Sequence, residues 1–177
     1  LYRSGGVAIR SALARLTLNG RPDGLRQVME NLDRDLLAKQ GLGKGALYRE
    51  RFHVDIGRRY FTPAEIQDHW KKNSLNAASW EDLQGFNDAV YASVRSGSNA
   101  YRATLNIPHY VNYSAVAAIT GTMHLTDHNI PLYRPRGDPR FIPIGYDLGG
   151  NALGEFGDRS PAVQSPYAAQ NWLYQLV

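Results

Sequence analysis

The order of patterns along the chain predicts an α+β fold with two lobes. Strand-like segments come first, between residues 15 and 52, and helical patterns follow between residues 62 and 121. Two short strands, at residues 130–133 and 141–146, are then predicted to form a hairpin with polar residues at its base. Strands grouped before helices favour an α+β protein over an alternating arrangement with a parallel sheet. We therefore expect a single domain, with a strand-rich part at residues 1–55 and a helical part at residues 60–177.

Length and composition set the broad class of protein. The 177 residues are enough for one domain with a buried core. Hydrophobic residues make up 43% of the chain and charged residues 20%, which is typical of globular proteins. The formal net charge of +4 suits an anionic small ligand such as a nucleotide. Because the basic residues are spread along the chain, nucleic acid is not expected as a partner.

The sequence lacks cysteine, a membrane-spanning apolar run and a signal-peptide pattern, which limits the classes of protein that fit it. The chain has no cysteine, which excludes disulfides and thiolate metal sites. No apolar run approaches the roughly 18 residues of a membrane-spanning helix, so no transmembrane segment is expected. The chain begins at Leu1, without a signal-peptide pattern. Its simplest interpretation is a piece of a longer or processed protein.

A first hairpin is predicted by alternation followed by turn residues. Residues 15–19 alternate and end at the pair Asn19 and Gly20, which is a strong signal for a hairpin turn. Gly24 is expected to close that turn. Residues 25–29 would then return as the second strand.

The next segments predict a helix, a loop and a strand. Residues 30–40 show a helical spacing of leucines, and residues 46–52 read as a strand. The loop between them, GLGKG at residues 41–45, is rich in glycine but lacks the spacing of a P-loop. Ordinary turn chemistry is therefore the favoured interpretation of this loop, and a phosphate cradle is the minor one.

Helix signals dominate the middle of the chain. Thr62 and Glu65 have the spacing of a capping box, with proline between them in the first turn. Further helices are predicted at residues 79–94 and 106–121, and a final one at residues 167–176. Four aromatic residues in this region are expected to pack in the core: Trp70, Trp80, Phe86 and Tyr91.

Two polar residues flank the predicted hairpin near the C-terminal end of the chain. Asp147 follows an apolar strand and precedes Leu148 and two glycines. A carboxylate at a strand end can bind a metal that bridges two phosphates, although a turn aspartate before glycine is an equally common interpretation. Asn129 lies just before the partner strand, where its amide oxygen could bind the same ion. The two residues together predict a metal pair.

The stretch just before Asn129 carries a carboxylate and two imidazoles. Asp127 is a candidate general base. His124 and His128 are each more simply explained as packing or loop residues. Together with Asp127 they form H-x-x-D-H, which is similar to the inverted zinc-protease motif H-x-x-E-H. Pro131 argues against the continuous helix which that motif needs, so the zinc site is a minor alternative.

A series of short segments follows one order along the chain. It begins with LNGRPDGL at residues 18–25, then Glu30 with an acidic helix after it, then GALYR at residues 45–49. It continues at residues 111–121, 129–133 and 142–148. In this order the segments resemble the CotH kinase family of spore-coat proteins, and the similarity spans about residues 13–157.

This resemblance implies an atypical, two-lobed protein-kinase-like fold. Such a domain would bind ATP with Mg²⁺ or Mn²⁺ and would phosphorylate Ser or Thr hydroxyls of a protein substrate. An extracellular, cell-surface or spore-coat location is also compatible with the family. The resemblance implies these site residues: metal ligands Asn129 and Asp147, catalytic Asp127 or His124, and nucleotide-lobe residues Glu30 and Arg49.

The chain departs from the family pattern at three places. Arg49 stands where the family usually has lysine, and a guanidinium differs from an ammonium in reach and geometry. Asp127 is two residues before Asn129, whereas the family's catalytic aspartate usually precedes the asparagine by four or five. Gly149 replaces the second aspartate of the family's Asp-x-Asp. The alternatives are therefore a pseudokinase or a non-catalytic surface or coat protein.

Overall fold

The structure is a computed structural model that describes residues 5–51, 62–73, 80–120 and 130–146. These parts contain antiparallel strands and a few helices, which confirms the mixed α+β class. In chain order the elements are β1 (Ser11–Leu18), β2 (Arg21–Met29), α1 (Arg34–Lys39), β3 (Gly45–Glu50), α2 (Pro63–His69), β4 (Trp70–Lys72), α3 (Glu81–Ser96), a 3₁₀ helix (Ala100–Ala103), α4 (Ile107–Thr120), β5 (Leu132–Pro135) and β6 (Ile142–Pro143).

The described strands form two separate sheets. β1 and β2 pair only with each other, whereas the second sheet has the strand order β4-β3-β5-β6. β3 is antiparallel to both of its neighbours, with Tyr48 opposite Lys72 of β4 and Leu132 of β5. β5 and β6 are antiparallel too. The predicted late hairpin is therefore present, although its first strand lies two residues later than predicted and its second is shorter. The hairpin pairs with β3, which is far away in sequence.

The four-stranded sheet is covered on both faces. Successive side chains of a strand point to opposite faces, and those of β3 enter different clusters. Ala46 and Tyr48 pack in the cluster that contains side chains of α3 and α4, whereas Leu47 packs against α1. On β5, Leu132 joins the first cluster and Tyr133 the second. The sheet consequently lies between α1 on one side and α3 with α4 on the other.

The helix signals identify the later helices well. At the start of α2, the Thr62 hydroxyl accepts from the Glu65 N–H at 3.3 Å and the Glu65 carboxylate accepts from the Thr62 N–H at 3.1 Å, which confirms the capping box. α3 and α4 lie within about two residues of their predicted ranges. The helix predicted at residues 167–176 lies outside the described residues.

The predicted core aromatics are buried to different degrees. Trp70 and Phe86 are completely buried. Trp80 and Tyr91 are only partly buried. Trp80 packs against the cluster that contains side chains of α3 and α4.

The prediction for the first hairpin was wrong in its second half. β2 begins at Arg21 rather than at residue 25, because the turn consists of Asn19 and Gly20 alone. Both turn residues have positive φ (51° and 78°), as in the tight turns whose twist suits a hairpin. Gly24, at φ 84°, lies inside β2 beside a register shift rather than closing the turn. An irregular pairing thus absorbs residues that the pattern assigned to a longer turn.

The helix predicted at residues 30–40 is also shorter than expected. Asp33 is its N-cap, and the Asp33 carboxylate accepts from two backbone N–H groups of the first turn at 3.0 Å each. Glu30 is excluded from the helix because its N–H donates to the Arg10 carbonyl at 2.9 Å, next to the β1–β2 pairing. The leucines whose spacing predicted this helix, Leu32, Leu36 and Leu37, are nevertheless all buried.

Candidate functional site

The β5–β6 hairpin positions one end of the candidate site. The Ile144 N–H donates to the Pro131 carbonyl at 2.8 Å, which continues the antiparallel pairing beyond the strands. This pairing places Ile130 and Tyr146 at the same end of the hairpin. Those two residues are the sequence neighbours of Asn129 and Asp147. The predicted residues Asn129, Asp147, Asp127, His124 and His128 lie outside the described residues.

Arg49 lies against this same end of the hairpin. Its guanidinium carbon is 4.7 Å from the centroid of the Tyr146 ring, which is a cation–π contact. Such contacts contribute about 0.5–1 kcal/mol at partly exposed positions. Both residues are half-buried. The structure thus brings the predicted nucleotide-lobe residue Arg49 to the residue directly before Asp147.

The N-terminal segment completes this end of the sheet. Ala8 forms a parallel bridge with Gly145. The Ile9 N–H donates to the Gly145 carbonyl at 3.2 Å, and the Gly145 N–H donates to the Val7 carbonyl at 2.8 Å. Arg10 follows directly, so the start of the β1–β2 hairpin is anchored next to Tyr146.

Glu30 is the partner of Arg10. Its carboxylate accepts from the Arg10 Nε at 3.0 Å and from Nη2 at 2.6 Å, and it also accepts from the Arg10 backbone N–H at 3.1 Å. These hydrogen bonds to Arg10 hold the pKa of the Glu30 carboxyl at about 2, well below its usual range. In the described part of the chain, Glu30 therefore pairs with Arg10, whereas Arg49 contacts Tyr146. Both contacts lie near the end of the four-stranded sheet at which Ile9 bonds to Gly145.

A polar cluster that the sequence did not predict lies on the face of the four-stranded sheet that α3 and α4 cover. The Tyr48 hydroxyl contacts both carboxylate oxygens of Asp82 at 2.8 Å, and Arg134 pairs with the same carboxylate at 3.2 Å. The Lys72 Nζ lies 4.9 Å from the centroid of the Tyr48 ring. This cluster fastens the first turn of α3 to β3, β4 and β5.

Burial decides the electrostatics of this cluster. It raises the pKa of Tyr48, and the hydrogen bond to Asp82 raises it further. Burial also lowers the pKa of Lys72, while the Asp82 charge opposes that shift. The available sequence signal was the alternation of β3, which places Tyr48 with Ala46 on the face that α3 and α4 cover. The pairing with Asp82 is not predictable from spacing, since 34 residues separate the two.

Two features are absent from the described residues. They contain no group of three or more histidine and acidic side chains placed to hold a metal ion. Nor do the described ranges include a helix long and apolar enough to cross a membrane.

Comparison with known protein families identifies the family of this chain. The family described as CotH kinase protein matches residues 3–172, which is nearly the whole chain. The chain belongs to this family, and the resemblance inferred from its segments is confirmed. No curated protein matches the sequence.

Proposed function

We propose that this domain is a protein kinase that transfers the γ-phosphate of ATP to a Ser or Thr hydroxyl of a protein. The observation that carries this proposal is the contact of Arg49 with Tyr146, the residue directly before Asp147. A phosphate-binding cation and a metal-binding carboxylate need to lie close together in phosphoryl transfer, because both neutralise the same phosphates.

The metal site would be formed by Asn129 and Asp147 with Mg²⁺, or with Mn²⁺. The antiparallel pairing of β5 with β6 supports this assignment, because it holds their neighbours Ile130 and Tyr146 at one end of one hairpin. Amide and carboxylate oxygens are suitable ligands for such hard cations. When bound, the ion would neutralise charge on the β- and γ-phosphates of ATP.

Arg49 would bind the nucleotide phosphates. Within the described residues its guanidinium contacts the face of Tyr146 and forms no ion pair, so its charge is available to an anion. A guanidinium can bind phosphate oxygens in a bidentate manner, which allows arginine to replace the family's lysine here.

Glu30 would act as a positioning residue. Its carboxylate is committed to Arg10, and Arg10 follows the segment that is hydrogen-bonded to Gly145. Glu30 would therefore keep the N-terminal segment in place beside Arg49. Asp127 would orient or deprotonate the acceptor hydroxyl, with His124 as the alternative. The nucleotide would lie at the end of the four-stranded sheet where Arg49 contacts Tyr146.

Autophosphorylation with radiolabelled ATP and Mg²⁺ tests the proposal. Asp147→Ala is expected to abolish incorporation, because a metal ligand is lost. Asp138→Ala is the matched control, since Asp138 lies beyond the opposite end of β5 and pairs with Arg140 at 2.7 Å. Wild-type incorporation by Asp147→Ala would contradict the assignment.

Calorimetry with Mg-ATP separates the remaining alternatives. Binding without phosphate transfer would identify a pseudokinase, as the replacement of aspartate by Gly149 allows. Absence of binding would favour a non-catalytic surface or coat protein. Near-stoichiometric zinc in the purified protein would instead favour a hydrolase using His124 and His128.

A further inference from the structure

A cavity of about 570 Å³ lies at the opposite end of β3 from Arg49. Its walls come from α1, from the glycine-rich loop before β3 and from the turn after β5. A strand rises about 3.3 Å per residue, so Gly45 and Arg49 are about 13 Å apart along β3. The cavity is consequently separate from the site proposed for the nucleotide. Its volume is in the range of small-molecule sites.

The loop that borders the cavity is held on both sides. The Tyr133 hydroxyl donates to the Gly43 carbonyl, and the Arg136 N–H donates to the Lys44 carbonyl at 2.8 Å. Gly45 approaches β5 so closely that a Cβ there would be 2.3 Å from the Arg134 carbonyl oxygen. These contacts give the cavity a defined wall, which ordinary surface loops lack.

The rim of the cavity is positively charged. Arg34, Lys44 and Arg136 line it together with a single carboxylate, Asp35, so two positive charges are in excess. All four residues are exposed. None of the three cations forms an ion pair with an acidic side chain in the ranges that the structure describes. The excess charge is therefore available to an anionic ligand.

The floor of the cavity is apolar. Leu37 and Tyr133 are buried beneath it, and Ala38 and Leu42 border it. A rim of arginine and lysine over such a floor matches a ligand that has an anionic head and an apolar body. Guanidinium groups bind phosphate oxygens in a forked geometry, and lysine adds a point charge.

We propose that this cavity binds a small phosphomonoester with an apolar body, of the size of an aryl phosphate. The phosphate lies between Lys44 and Arg136, with Arg34 as the third cation, and the body rests on Leu37 and Leu42. The glycine-rich loop then contributes to phosphate binding through the Lys44 side chain rather than through a P-loop backbone.

Calorimetric titration of the full chain with phenyl phosphate at low ionic strength tests the proposal. Saturable binding is expected for the wild type. Lys44→Gln and Arg136→Gln should each weaken it at least threefold, and the double variant at least tenfold. Arg95→Gln, at an exposed arginine in the last turn of α3, is the matched control and should bind as the wild type does. Absence of saturable binding to the wild type, or an unchanged affinity in the double variant, would overturn the proposal.

A second variant tests the cavity without changing its charge. Ala38→Phe should fill the space above the floor and lower the affinity at least tenfold, while thermal unfolding verifies that the variant is folded. Unchanged affinity in folded Ala38→Phe would place the ligand elsewhere and contradict the proposal.

Two further probes define the ligand class. Methyl phosphate has the same head without the apolar body and should bind at least threefold more weakly than phenyl phosphate. Equal affinities would overturn the role of the apolar floor. Saturating Mg-ATP should leave phenyl phosphate bound, and its displacement would overturn the separation of the two sites. The test is independent of kinase activity, so loss of the proposed function would not affect its outcome.

Discussion

The two sheets in the described part of this protein are both antiparallel, but one is exposed to solvent and the other is buried. The β1–β2 hairpin is almost entirely exposed, and its large apolar residues face solvent: Leu13, Leu16, Leu18, Leu25, Val28 and Met29. The four-stranded sheet is covered on both faces, and the side chains of Leu47, Tyr48, Leu132 and Tyr133 are essentially inaccessible. In this chain, a segment can therefore form a regular strand without being buried.

The difference shows what maintains each sheet. A two-stranded hairpin is marginal on its own in water, so the β1–β2 hairpin depends on its tight turn and on its anchor at Arg10 and Glu30. The four-stranded sheet depends on apolar packing against helices from both sides. Substitutions should accordingly have large effects in the second sheet and small effects in the first.

The largest contrast is expected between two leucines. Leu83 is completely buried at the start of α3, whereas Leu13 of β1 is 73% exposed. Leu83→Ala should lower the free energy of unfolding by about 2–5 kcal/mol, because it leaves a cavity against the sheet. Leu13→Ala should change it by no more than about 0.5 kcal/mol. Urea denaturation measures both, and similar losses would mean that the hairpin is packed in solution.

A glycine pair tests the close approach of β3 to β5. Gly45→Ala should destabilise the protein by about 1–3 kcal/mol, because its Cβ would overlap the Arg134 carbonyl oxygen and the Tyr133 ring. Gly43→Ala is the matched control, since a Cβ there has nothing within 4 Å. Equal stability of the two variants in thermal unfolding would show that β3 and β5 are further apart.

The third prediction concerns the buried cluster around Tyr48. Tyr48→Phe should cost about 1 kcal/mol at neutral pH, because Asp82 loses one hydrogen-bond donor. The folded state raises the pKa of Tyr48 above its ordinary value of 10.0. The associated stability is thus present below pH 10 and is lost as the pH rises above it. Urea denaturation between pH 8 and 11 should show a smaller alkaline loss for Tyr48→Phe than for the wild type.

The smallest effect is expected at the anchor of the exposed hairpin. The Glu30 carboxyl should titrate with a pKa of about 2 by carbon-detected NMR, and Arg10→Gln should raise it towards 4.5. Because the folded-state pKa is lowered, the stabilisation is present above pH 4.5 and is lost as the pH falls towards 2. An unchanged Glu30 titration in Arg10→Gln would show that this pair does not anchor the hairpin.

Local signals predicted the elements well where the physics is local. The capping box at Thr62 and Glu65 and the Asn19–Gly20 turn depend on neighbouring residues only. The capping box is present as predicted, and the turn begins at Asn19 as predicted but does not extend to Gly24. The length of β2 and the start of α1 were misjudged, because pairing with Arg10 and a register shift beside Gly24 decided them. Those contacts join segments about 10 to 20 residues apart.

The candidate site shows the same difference between what the sequence predicts and what long-range contacts decide. Sequence resemblance identified the family to which the chain belongs. It also suggested Arg49 and Glu30 as nucleotide-lobe residues, but it did not predict which residues contact them. Arg49 meets Tyr146 because β3 pairs with β5 and β5 with β6, and that pairing depends on the whole sheet.

The sequence by itself was enough to predict the local turn and helix cap, the α+β class and the family. The tertiary structure alone decided which strands are buried, which carboxylates Arg10 and Arg134 meet, and that a basic cavity forms between α1 and the turn after β5. The physical reason is that hydrogen bonding within a turn is local, whereas burial and ion pairing depend on contacts between distant parts of the chain.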